Sequence, residues 1–414
     1  MKNNDFRTLE ADNMSANEEV TKLIQEVSAK DVVFPLVEID SGVIQHIPTF
    51  LKERKLHHIV IVYDEHTKLA AGSDIAHLLS EAAFTVTTVA LEANKHGQVI
   101  ADEPSLVQVL TETPNEADAI LAVGSGTIHD IVRFVGYKMN KPFISVPTAA
   151  SVDGFTSKGA PLIFRGFKNT IQTVSPIAVF ADINILKKAP QALTAAGFGD
   201  IVGKHTSLLD WKISDLIADE PYSERAAQLT RESLESCVNH VDDIAAHSEK
   251  GLKLLMQSLI DSGLVMLVLD FSRPASGSEH HLSHYWEMDL LKRDAKQLLH
   301  GAKVGVAAGI IIDLYKQFFK KFDSQSLPVD EPHAHALQAH WETIQEQVEK
   351  LPSGDELRAM LKTVGGPMTP EELHIDHQLV SKSLNEAIHL RDRYTGLLLI
   401  NQLNKESLSF PIEI

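Results

Sequence analysis

The stretch Ala119-Ile120-Leu121-Ala122-Val123-Gly124-Ser125-Gly126-Thr127 decides the fold. Ala119 to Val123 is a short unbroken apolar run, the pattern of a strand buried on both faces of a parallel sheet. The glycines after it open a helix predicted over Thr127 to Tyr137. Such a turn leaves the first helical N–H groups unpaired and aligned with the helix dipole, which favours a phosphate. It lacks the third glycine of the usual dinucleotide fingerprint, so a tight βα turn needing only small residues is the plain alternative.

Upstream the same alternation continues. His58 to Tyr63 reads as a buried strand, Leu69 to Ala83 as a helix, Thr85 to Leu91 as a β-branched strand and Ser105 to Leu110 as a helix. Val32 to Val37 adds a first strand and Phe143 to Val146 a later one. Repeated βα units imply a parallel sheet with helices on both faces. After Pro190 long Leu/Ala/Ile-rich stretches at helical spacing replace the β-branched runs. The expected architecture is an α/β Rossmann-like dinucleotide-binding domain over residues 1–190 and an all-helical domain over 191–414 that binds metal and substrate. Thr148 to Ile185, rich in Gly, Pro and Ser with one strand expected at Ile177 to Asp182, is the natural floor of the cleft between them. The first twenty residues and the polar 321–333 stretch are expected to be loose.

Composition narrows the class of function. Hydrophobic and charged shares of 44% and 23% are those of a folded globular chain. A net charge of −18 would repel a polyphosphate backbone, so no nucleic-acid or anionic-membrane partner is expected. A single cysteine, Cys237, and an opening without a signal-type apolar stretch point to the cytoplasm, with Cys237 a structural thiol. Apolar runs such as Val304 to Ile312 fall short of the roughly 20 residues of a membrane span, and none is expected. Trp211, Trp286 and Trp341 fall on helical patterns as packing groups, and His57, His333, His335 and His340 read as surface residues.

Three groups carry candidate chemistry. Asp64 follows the strand ending at Tyr63, where a carboxylate can accept from a ribose or simply cap a helix. Thr148 to Ser157 sets hydroxyls and Asp153 at the C-terminal end of a strand, where open α/β sheets bind ligands. Gly197-Phe198-Gly199-Asp200 leads into a helix, placing a carboxylate near its start. His280 and His284 share one helical face, and His300 precedes Gly301. One Asp and two His suit a divalent metal with an open position, although 20 histidines make chance clusters common.

Together, Gly124 to Asp130, Ser145 to Gly154, Gly197 to Asp200, Ser272-Arg273-Pro274-Ala275-Ser276-Gly277-Ser278-Glu279-His280 and Leu299-His300-Gly301 resemble the sn-glycerol-1-phosphate dehydrogenase family, bacterial type. That family lies in the superfamily of glycerol dehydrogenases, iron-type alcohol dehydrogenases and dehydroquinate synthases. The resemblance implies a dehydroquinate synthase-like fold and metal ligation by Asp200, His280 and His300, with one nickel or zinc per chain. It places His284 and Asp153 against the substrate as catalytic groups and Asp200 beside it. Asp64, Gly126, Thr127, Ile128, His129, Asp130, Thr148, Ala149, Ala150, Ser151 and Ser157 match its cofactor positions, with NAD(H) preferred and NADP(H) possible.

The implied reaction is the reversible reduction of dihydroxyacetone phosphate to sn-glycerol 1-phosphate for glycerophospholipid or ether-type lipid precursors, by a homo-oligomer, most simply a homodimer. Lys158, Lys204, Arg273 and Lys303 lie near the site in sequence and are open candidates for the phosphate. The alternatives are a glycerol or other polyol dehydrogenase, a dehydroquinate-synthase-like lyase and a non-catalytic nucleotide-binding sensor.

Overall fold

The computed structural model describes residue 23 and residues 33–323, 333–404 and 406–412. The expected loose segments therefore lie outside the described residues, apart from Lys321 to Asp323 and His333. The strands are β1 Leu36–Asp40, β2 His58–Tyr63, β3 Thr85–Ala90, β4 Ala119–Gly124, β5 Phe143–Pro147, β6 Gly159–Phe164, β7 Phe167–Gln172 and β8 Ala178–Asp182. Six form one parallel sheet in the order β1-β8-β5-β4-β2-β3. The period of two divides it: Ile59, Ile61, Leu121 and Val123 pack on one face, Val60, Val62, Ile120 and Ala122 on the other.

Two expectations need correction here. The first strand begins at Leu36, after Pro35, near the end of the Val32 to Val37 run, and continues to Asp40, since a proline has no N–H for the ladder. The Thr148–Ile185 segment holds three strands, because β6 and β7 form an antiparallel hairpin beside the main sheet. Its turn, Arg165-Gly166, has φ of 50° and 78°, the doubly left-handed geometry of a two-residue hairpin loop. An arginine where asparagine or aspartate usually sits conceals that signal in the sequence.

Beyond β8 the chain is helical, with principal helices Gln191–Val202, Lys204–Ala218, Glu224–Asn239, Glu249–Leu269, Ser278–Lys292 and His300–Lys321. The sheet and the helices share a core in which Val179 and Ala181 of β8 cluster with Phe198, Leu255 and Leu259. Glu249–Leu269, at 21 residues and a mean hydropathy of 1.7, is long and apolar enough to cross a membrane, which the sequence reading overlooked. Its most apolar window is 72% buried within the fold, as in a core helix. Trp211, Trp286, Trp341 and Cys237 are all buried, and burial pushes the Cys237 thiol up to about 12.

Candidate active site

A cleft of about 740 Å³ runs between the C-terminal ends of the strands and the helices. His280 and His300 line its helical wall, and with Asp200 buried behind them they bring one ligand atom each within 4.8 Å of one another. Asp200 Oδ1 lies 3.6 Å from His280 Nε2 and 3.8 Å from His300 Nε2. Ligand atoms about 2.1 Å from one tetrahedral ion stand about 3.4 Å apart, so a slight contraction closes this cluster around a divalent cation.

Helix packing creates the cluster. Asp200 is the tenth residue of the helix Gln191–Val202, which corrects its expected place near a helix start. Glycines inside a helix are usually unfavourable, but Gly199 and Gly301 let this helix meet His300–Lys321 backbone to backbone. A Cβ on Gly301 would stand 1.7 Å from the Ala196 carbonyl oxygen. The close approach sets His300 against Asp200.

Asp200 and His300 are held in the state a metal requires, whereas His280 is raised above its ordinary value, since the effect of burial is more than offset by Asp200 and Glu279. Asp200 Oδ2 accepts from the Asp153 amide at 2.9 Å, while buried Oδ1 has no hydrogen-bond partner. Burial opposes its charge, but Lys204, His280 and His300 more than offset this and hold the carboxyl well below the usual range. Burial pushes His300 down to about 3, leaving a neutral ring. His280 Nδ1 is 2.6 Å from Glu279 Oε1, which fixes the ring with Nε2 facing Asp200. Glu279 is itself buried and held by the Gly277 amide at 2.7 Å and Thr206 Oγ1 at 2.5 Å. The sequence reading passed over Glu279, although it sits beside His280.

A model of the iron-containing alcohol dehydrogenase family matches residues 38–190. The glycerol-1-phosphate dehydrogenase (NAD(P)+) of Bacillus licheniformis is 51% identical over 363 residues, covering 88% of this chain and 87% of that one. The enzyme of that name from Geobacillus stearothermophilus is 49% identical, covering 86% and 89%. The chain belongs to the glycerol-1-phosphate dehydrogenase family. The Pyrococcus furiosus member is 33% identical, covering 82% and 85%. Among solved structures, glycerol dehydrogenase of Schizosaccharomyces pombe superposes with a TM-score of 0.63 at 17% identity, covering 90% and 88%. A 1,3-propanediol oxidoreductase gives 0.64 at 14%, covering 89% and 95%. Both share the fold.

Within this glycerol-1-phosphate dehydrogenase family member, Gly126, Thr127, His129, Asp130, Ser151, Asp153, Ser157 and His284 line the cleft with the metal cluster. The N-cap Ser125 makes no side-chain capping bond, so the first turn of the helix Gly126–Met139 keeps its amides for a ligand. Asp64, Ile128, Thr148, Ala149 and Ala150 do not line the cleft. Asp64 caps a short helix in a reciprocal bond with Thr67, and Ile128 is buried against Gly124. His129 is buried between Ser125 and Ser145, with Nδ1 and Nε2 both hydrogen-bonded at 2.8 Å. Burial raises Asp130 to about 7 despite its bond to Arg133.

Asp153 Oδ2 is held by Lys204 at 2.6 Å and Ser262 at 2.9 Å. The His284 ring lies 6.0 Å from both His280 and His300, and its Nδ1 is 3.2 Å from Arg391 Nη2. A guanidinium only donates, so Nδ1 accepts and the neutral ring carries its proton on Nε2. Burial, then Lys168 and Arg391, hold His284 well below its ordinary value.

The four basic residues near the site in sequence are all engaged. Lys158 pairs with Asp270 at 2.8 Å, Lys204 with Asp153, Arg273 with Glu220 at 2.6 Å and Lys303 with Glu287 at 2.8 Å. Lys204 and Arg273 do not line the cleft. Lys168, Arg391 and Arg393 do, and the sequence reading named none of them.

Proposed function

We propose that this chain reduces dihydroxyacetone phosphate reversibly to sn-glycerol 1-phosphate with NAD(P)H. The observation that carries the reading is the buried Asp200 Oδ1, which has no hydrogen bond and faces His280 and His300 of the cleft lining. Asp200, His280 and His300 would hold a divalent cation, nickel or zinc, which would supply Lewis-acid polarisation of the substrate carbonyl, and NAD(P)H would supply hydride to its carbon.

The chain's own groups do the rest. Amides at the start of Gly126–Met139 hold the cofactor pyrophosphate, with Thr127, Asp130 and Ser151 around it, and Asp64 accepts from the adenosine ribose and favours NAD over NADP. Ile128, Thr148, Ala149 and Ala150 shape this turn from behind, while His129 and Ser157 line the cleft. Asp153, anchored by Lys204, orients the substrate hydroxyl, and His284 offers Nε2–H to the oxygen on which negative charge develops. Residues 1–190 serve as the dinucleotide-binding domain and 191–414 as the metal- and substrate-binding domain. The reading further holds that the enzyme works as a cytoplasmic homodimer and that its product feeds glycerophospholipid or ether-type lipid synthesis.

The test follows NADH absorbance with dihydroxyacetone phosphate, before and after chelation and re-addition of nickel or zinc, with the product's configuration determined. Metal-restored oxidation yielding sn-glycerol 1-phosphate supports the reading. A metal-loaded enzyme that reduces glycerol-derived or other unphosphorylated ketones and ignores this one overturns it.

A further inference from the structure

The lysines and arginines lining the cleft are Lys158, Lys168, Lys303, Arg391 and Arg393. Lys158 is neutralised by Asp270, while Lys168 and Lys303 share the Glu287 carboxylate at 2.9 Å and 2.8 Å. Among the described residues, Arg391 and Arg393 have no carboxylate within ion-pair distance, Asp392 between them included. Their partners are neutral oxygens and one ring nitrogen. Arg391 Nη1 donates to Ser276 Oγ at 3.4 Å and Nη2 to His284 Nδ1 at 3.2 Å. Arg393 Nη1 donates to the Ser276 carbonyl and Nη2 to Ser272 Oγ at 3.3 Å.

Two half-buried guanidiniums set side by side, with Glu279 and Glu220 acting on them only from beyond ion-pair contact, repel each other and give up hydration, so the fold bears a cost that an anion would relieve. Burial followed by the charge of Arg391 depresses Arg393 to about 9, another sign of uncompensated positive charge. In a chain of net charge −18, this is a local exception. We infer that Arg391 and Arg393 clamp the phosphate of the substrate.

The assignment rests on the proposed reduction of a phosphorylated ketone and names the groups that select for the phosphate. Its geometry is suitable. Arg391 touches His284, whose ring flanks both histidines of the metal cluster, and a triose phosphate carries its phosphate one methylene and one ester oxygen from the reacting carbon. The neutral contacts to Ser272 and Ser276 aim both forks without discharging them, and leave further N–H donors for phosphate oxygens. A dianion at Lys168 and Lys303 would instead meet the Glu287 carboxylate.

Steady-state kinetics with dihydroxyacetone phosphate and with dihydroxyacetone test this in the metal-loaded enzyme, using Arg391→Gln, Arg393→Gln, Lys168→Gln and the charge-retaining Arg391→Lys. The ratio of kcat/KM for the phosphorylated over the unphosphorylated ketone falls about a hundredfold in either Gln variant, mainly through KM. It falls less in Arg391→Lys, which keeps the charge and loses the fork. Inorganic phosphate competes with the phosphorylated ketone in the wild type, and this inhibition weakens in parallel. An unchanged ratio, or equal losses on both ketones, overturns the clamp, as does a loss of phosphate preference confined to Lys168→Gln. A wild type that turns over no phosphorylated ketone refutes the underlying reaction, whereas wild-type turnover with unaltered preference in the variants refutes the clamp alone.

Discussion

Two carboxylates, Glu287 lining the cleft and Asp200 buried behind His280 and His300, differ in what satisfies them. Glu287 has both oxygens occupied, with Lys168 at 2.9 Å from each and Lys303 at 2.8 Å from Oε2. Asp200 is fully buried with Oδ2 bonded to the Asp153 amide, while Oδ1, 3.6 to 3.8 Å from His280, Lys204 and His300, accepts no hydrogen bond. A buried charge left short of hydrogen bonds is costly, so it persists where a ligand completes it. Glu287 ties the hairpin strand β7 to the helices, whereas Asp200 Oδ1 is left free of hydrogen bonds in a group that could hold a cation. Asp200 is the more buried of the two, yet it is the one left with fewer hydrogen bonds, and that accounting is what sets the two carboxylates apart.

The comparison breaks first at Asp200. Asp200→Asn keeps the shape and removes the charge, and kcat/KM is expected to fall more than about a thousandfold with loss of bound metal, measured by steady-state kinetics and elemental analysis. Retained metal at full occupancy would mean that Asp200 is as structural as Glu287. Next comes the helix contact that delivers Asp200 to His300. Gly301→Ala forces a methyl against a backbone carbonyl and should cost about 1 to 3 kcal/mol or more, read by urea denaturation, together with reduced metal content. Then Glu279→Gln, which weakens the grip on His280 Nδ1, should lower metal affinity about 10- to 100-fold in a chelator-competition titration. No change there would make Glu279 a bystander to the cluster.

How much of this was legible in sequence follows from the range of the signals. The six parallel strands are local apolar runs, and five of them were placed within a few residues. The cluster of Asp200, His280 and His300 was legible only because three short motifs occur together in family order, since spacing alone could not bring residues 80 and 100 positions apart to one point. Gly197 and Gly199 misled the reading of Asp200, because glycine signals a helix boundary unless another backbone needs the space. Glu279 stood inside the Ser272–His280 motif with no role of its own until the fold set it, buried, against His280. Arg391 and Arg393 carried no signal at all. They lie more than a hundred residues after the Ser272–Ser276 turn they brace, and what distinguishes them is the absence of a counter-charge within ion-pair contact, which only the fold reveals.

The smallest effect sharpens the other side of the comparison. Burial works against the charge on Glu287, but Lys168 and Lys303 together hold its carboxyl well below the ordinary range. A carboxyl with a lowered folded-state value stabilises the fold fully above its unfolded value of about 4.3, and that contribution disappears as pH falls toward the folded value. Glu287→Gln should therefore cost about 1 to 3 kcal/mol near pH 7, with the gap to wild type narrowing as the pH drops below about 4. Urea denaturation of both proteins across that range measures it. A gap that stays constant with pH would mean that Lys168 and Lys303 hold Glu287 by hydrogen bonds available to an amide as well, and that the join between hairpin and helices does not depend on charge.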